Sequence, residues 1–248
     1  MGFRDALKQL QRRLVVAASP WKYRKGRVPL PFRWLVSPLR YDVLVRLEYF
    51  RFHERNLELY RGEFPRYLEL ARQQPYFVWF REVLCRRRFP QLREDPAGLA
   101  RAFEQRVRAA AELHRGFRER GFDERNPIIL RAGRRIRPTP TGKRIRRKLF
   151  VGDGCHRMAL LMLAGAEILN PGQYRVRHER EHEPLDNTHL LIGPLGLTRT
   201  EYYRFLSGGY CGSTYDDREL LLDAVRRVEP HYVAEVTEVS AIDERQLT

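Results

Sequence analysis

Residues 149–165, LFVGDGCHRMALLMLAG, leave the chain little choice of local structure. An apolar run enters a Gly-Asp-Gly turn, and an apolar helix leaves it. Gly152 and Gly154 let the backbone reverse as it leaves the strand. The helix that follows presents free N–H groups and the positive end of its dipole to the turn. His156 and Arg157 add side-chain donors at the same place. Strand, glycine turn and helix N-terminus together make an anion site, and phosphate is its commonest occupant. Asp153 fits simple anion binding poorly. It suits either a Mg2+ ligand or proton acceptor beside bound phosphates, or a plain helix cap.

The surrounding pattern extends this unit. Asp95-Pro96 predicts a helix start, with an acid at the N-cap and proline at the first helical position. The helix runs through AGLARAFEQRVRAAAELHRGFRER and stops at Gly121. NPIILRA reads as a strand, LFVGDG as a second, CHRMALLMLAGAEIL as a helix and QYRVRHE as a third strand. That order predicts an α+β fold with an α/β core. RELLLDAVRRV reads as a further helix and YVAEVTEVSAI as a final strand. Towards the N-terminus, Phe3, Leu7, Leu10 and Leu14 mark a short basic amphipathic helix. Residues 20–40 read as an irregular basic arm and residues 41–74 as helical. Two regions follow: a basic, helical 1–94, and a core with C-terminal extension, 95–248.

Charge narrows the choice of partner. The 248 residues carry 47 Lys and Arg against 31 Asp and Glu, a net charge of +16. Such a balance favours phosphate-rich partners, whether nucleotide, nucleic acid or anionic lipid. Eight basic residues and no acid fall between Arg134 and Lys148. That loop has no aromatic residue for stacking on bases, which makes nucleic acid the weaker reading. The three cysteines are scattered, with no C-x-x-C pair, so neither a disulfide framework nor a cysteine zinc site is expected. A reducing cytoplasm fits, and the basic, aromatic N-terminal arm suggests peripheral contact with the anionic inner face of the membrane. HEREH, His178 to His182, matches a zinc-peptidase pattern, but it follows a strand and precedes Pro184. On a strand the two imidazoles stand about 13 Å apart and cannot share one ion.

DGCHRMALLMLAG after a strand, with NPIIL before it, resembles the ParB/sulfiredoxin-like superfamily. The helix–glycine lead-in ELHRGFRERGF is similar too, and the likeness covers about residues 95–178. The resemblance implies a ParB/sulfiredoxin-like core that binds a nucleotide with its phosphates at this turn. Gly154 to Arg157 reproduce the Gly-Cys-His-Arg of sulfiredoxins, in which the cysteine is the nucleophile. Asp153 to Arg157 match the Asp-Gly-x-His-Arg of the free-serine kinases, in which the aspartate is essential. ParB proteins, which bind CTP and DNA, usually carry Gly-Glu-Arg-Arg there instead. The chain lacks the Ser-Leu and Thr-Ile segment that precedes a sulfiredoxin site, and it shows no obvious recognition helix for DNA.

The resemblance therefore implies an ATP-dependent kinase acting on a small-molecule or glycan-like hydroxyl. ATP and Mg2+ are the expected cofactors. Gly152, Gly154, Cys155, His156 and Arg157 would hold the nucleotide, and Asp153 would be the metal ligand or base. Glu94 is the nearest candidate for the second, upstream carboxylate of the kinases. A nucleotide-binding, nucleic-acid-associated protein is the alternative, and a reductase using Cys155 the third.

Overall fold

The structure, a computed structural model, describes residues 23–32, 35, 41–85, 88–132, 149–177, 197–211, 213–228 and 230–241. The basic helix around Leu7, the loop 134–148 and HEREH lie outside the described residues. What is described is a mixed α+β chain, mostly helical, with two small sheets. The described residues fall into two compact units. One gathers residues of Asp42–Pro127 and Cys155–Ala166. The other gathers residues of Trp21–Tyr41, Ile128–Gly154 and Glu167–Thr248.

The first unit is helical. Helix α1, Tyr41–Arg55, buries Val43, Val45, Arg46, Leu47, Tyr49, Phe50, Phe52 and His53, which is far more than one stripe. Such a helix must be surrounded. Short helices α2 (Leu57–Gly62), α3 (Phe64–Arg72) and α4 (Pro75–Trp79) follow, and a π turn at Phe80–Cys85 continues α4. Helix α5 spans Pro96–Arg120. The Asp95 carboxylate accepts the Gly98 N–H at 2.7 Å, so the predicted cap is present. Gly121 ends the helix at φ 70°, a conformation that favours glycine. Phe103, Val107, Ala110, Ala111 and His114 form its buried stripe at helical spacing.

Helix α6, Cys155–Leu163, completes this unit through buried Met158, Ala159, Leu160 and Leu161. It is shorter than the sequence pattern suggests. Gly165 takes φ 78°, its N–H donates to the Met162 carbonyl, and the Ala166 N–H donates to the Leu161 carbonyl, both at 3.0 Å. This Schellman closure releases AEIL from the helix.

The second unit is built on a four-stranded sheet in the order β1-β6-β3-β4, from Tyr23–Lys25 (β1), Ile128–Ala132 (β3), Leu149–Asp153 (β4) and Tyr174–Arg177 (β6). β3 lies between β6, which is parallel to it, and β4, which is antiparallel. A two-stranded pair joins β2, Leu30–Pro31, to β5, Ile168–Leu169. Two expectations are corrected here. Residues 23–31 are not an irregular arm, because β1 pairs with β6 and β2 with β5. Pairing partners some 150 residues away leave no local trace in so short a segment.

The expected final strand is a helix. Helix α7 spans Arg199–Tyr210 and α8 spans Arg218–Val228, and a 3-10 turn at Pro230–Tyr232 leads into α9, Val233–Ser240. Val233, Val236, Thr237 and Ser240 fit helical spacing as well as alternation. Arg218 settles the choice by donating to the Thr237 carbonyl at 3.2 Å and the Ser240 hydroxyl at 3.1 Å, near the helix C-terminus. Tertiary packing overrides β-branched propensity. Tyr202, Leu206, Tyr210 and Cys211 are buried in this unit. Among the described residues no helix is long and apolar enough to cross a membrane.

Candidate functional site

The two halves of the turn at 152–157 belong to different units, divided between Gly154 and Cys155. On the sheet side, Gly152 does not reverse the chain. It lies within β4, where the β3–β4 register steps from Ile129↔Asp153 to Leu130↔Val151 and leaves Gly152 as the extra residue of a bulge. A Cβ there would stand 2.6–2.7 Å from Cγ, Cδ and Nε of Arg131. Glycine is needed because the arginine stem crosses that position. Asp153 closes the strand, and its Oδ1 accepts the Gly154 N–H at 2.9 Å. Gly154 supplies the reversal itself, at φ 94°.

On the helical side, Cys155, His156 and Arg157 form the first turn of α6, all partly exposed. Arg157 is anchored. Its Nη1 donates to the carbonyls of Asn126 and, at 2.9 Å, Pro127. One face of this guanidinium therefore ties α6 to the chain entering β3. Glu94 is exposed after the 3-10 turn Pro90–Arg93 and belongs to the helical unit. Among the described residues no group of three or more His, Cys, Asp or Glu is placed to hold a metal ion.

His156 has a more definite environment than its sequence suggests. Nε2 lies 2.8 Å from the Tyr76 hydroxyl, and the imidazole meets the rings of Phe50 and Tyr76 edge-on. Desolvation holds its pKa well below the usual histidine value, and Arg46, Arg106 and Arg157 push in the same direction. The ring is therefore neutral at pH 7 and adds no charge to an anion site. The Arg106 guanidinium lies 5.5 Å from the Tyr76 ring centroid.

Behind this contact is an aromatic stack that carries two arginines. Tyr76 stacks on Tyr49 at 4.4 Å and on Trp79 at 5.9 Å between centroids. The Arg46 guanidinium lies 4.1 Å from the Trp79 centroid, and that of Arg106 lies 5.1 Å from it. Arg46, with a side chain only 7 % exposed, pairs with Asp42 at 3.0 Å. Arg106 is held by Tyr76, Trp79 and Phe80. Burial and the neighbouring Arg46 lower its pKa.

Sequence reading missed Arg46, Tyr76, Trp79 and Arg106. One signal was available: Arg46 lies on the helical period of Val43, Phe50 and His53, and Arg106 on that of Phe103 and Ala110. A charge on an apolar stripe is unusual enough to demand a reason.

No protein-family model, curated protein or solved structure matches this chain.

Proposed function

We propose that the chain is an ATP-dependent phosphotransferase of the ParB/sulfiredoxin-like kind, transferring a phosphoryl group to a small-molecule or glycan-like hydroxyl. One observation carries the reading. The Asp-Gly-Cys-His-Arg segment spans a strand end, a glycine at φ 94° and the first turn of a helix, as a phosphate-holding turn requires. The N–H groups of the first turn of α6 take the nucleotide's phosphate oxygens in this reading. His156, being neutral, orients rather than neutralises.

Asp153 is the acceptor-side carboxylate. The acceptor hydroxyl attacks the γ-phosphorus, the bond to the β-phosphate oxygen breaks, ADP leaves, and the hydroxyl proton passes to Asp153. In its alternative role Asp153 would hold Mg2+, which would supply charge neutralisation at the phosphates.

Two substitutions test the assignment. Asp153→Asn keeps an Oδ1 acceptor for the Gly154 N–H, so the turn survives while the charge is lost. ATP binding should persist and ATP consumption should cease. Cys155→Ser should leave most of the rate, because a kinase needs only the backbone N–H of that residue. If consumption survives Asp153→Asn and disappears with Cys155→Ser, the chemistry is that of a cysteine nucleophile and the kinase reading falls.

A further inference from the structure

We infer that Arg46 and Arg106 form a binding site for a dianionic phosphate group within the helical unit. The inference rests on the anion-binding part of the function proposed above and is independent of phosphoryl transfer.

Two guanidiniums share the Trp79 ring, at 4.1 and 5.1 Å from its centroid. Asp42 is the one carboxylate paired with either of them among the described residues, and it engages only Nη1 of Arg46. The Nε of each arginine is buried and has no hydrogen-bond partner. Nε is half of the side-on fork by which a guanidinium takes a phosphate or carboxylate in two parallel bonds. Two such donors left unsatisfied in one aromatic cage, on mutually repelling cations, make a costly arrangement for the protein alone. A bound oxyanion satisfies both forks and removes the repulsion.

The charge selects the ligand. The pair carries two positive charges against one from Asp42, and Arg88 and Arg157 add to the surrounding field. The neighbouring His156 is neutral. A phosphate dianion matches two guanidinium forks better than a carboxylate, which has one charge and two oxygens. Arg106 and His156 both keep part of their surface exposed. His156 is the second residue of α6, so the site adjoins the turn to which nucleotide phosphates are assigned above.

The test uses the full chain at low ionic strength, with thermal melting followed as inorganic phosphate is added against chloride at equal ionic strength. Phosphate should raise the melting temperature with saturation in the millimolar range or below. Arg106→Met removes the charge but keeps the stem on the aromatic rings. It should weaken phosphate at least tenfold while leaving the ligand-free melting temperature equal or higher. Arg106→Lys keeps the charge and loses the fork, so its affinity should fall in between. No phosphate-specific shift in the wild-type chain overturns the inference, even if ATP still binds. So does an undiminished shift in Arg106→Met, or a clear loss of ligand-free stability there, since that would make Arg106 a structural cation. Saturable phosphate binding without any ATP consumption would leave this site standing and remove the kinase.

Discussion

The Tyr76 hydroxyl and the His156 Nε2 meet at 2.8 Å across 80 positions of chain. They join α4 to the first turn of α6. Tyr76→Phe keeps the ring stacked on Tyr49 and Trp79 but leaves the imidazole Nε2 without its hydrogen-bond partner. Stability to urea at neutral pH should fall by about 1–3 kcal/mol. An unchanged unfolding midpoint would show that the bond contributes nothing.

Acid should destabilise the helical unit through its histidines. His53 is lowered from 6.5 to about 4, first by desolvation and then by His114, while its Nδ1 contacts the Tyr67 hydroxyl at 2.8 Å. His156 is lowered in the same sense. Between those values the unfolded chain binds protons that the folded chain refuses, so stability rises with pH there. The contribution is complete above about 6.5 and is lost as the pH falls toward 4. For His53 alone the loss is at most roughly 3 kcal/mol. Urea melts between pH 4 and 7.5 should show the slope, and His53→Gln should flatten it. An equal slope in that variant would assign the effect elsewhere.

Gly152→Ala should destabilise although φ is not the obstacle. The new methyl would stand 2.6–2.7 Å from the Arg131 stem and force it off the bulge. A loss of about 1–3 kcal/mol is expected. Pairing the change with Arg131→Ala should recover most of it, since the crowding atoms are then gone. Failure of the double variant to recover would place the strain in the backbone.

Arg157→Ala should reduce stability as well as any anion affinity. Its Nη1 donates to the Asn126 and Pro127 carbonyls, and a charge-assisted bond of this kind contributes about 1.5–3 kcal/mol. Thermal melting of the ligand-free chain separates the two effects. An unshifted melting temperature with weakened nucleotide binding would make Arg157 a pure ligand contact.

Sequence alone determined whatever depends on neighbours along the chain. The N-cap at Asp95, the stop at Gly121, the strands at 128–132 and 149–153 and the helix beginning at Cys155 all follow from periodicity and turn chemistry within a few residues. The Asp-Gly-Cys-His-Arg turn was legible for the same reason, since a strand, a glycine at positive φ and a helix start are local features.

Tertiary structure decided what depends on distant partners. Tyr23–Lys25 became a strand because β6 lies beside it, and Val233–Ser240 became a helix because Arg218 and α8 receive it. Gly152 was read as part of a reversal, yet its role is to make room for Arg131 across the sheet. The charge state of His156 was equally hidden. A histidine beside an arginine at a helix start looks cationic in sequence, but burial against Tyr76 and Phe50 and the field of Arg46 and Arg106 hold it neutral. Desolvation and charge–charge energy depend on what surrounds a group in space, and only the fold brings residues 46, 76, 106 and 156 together.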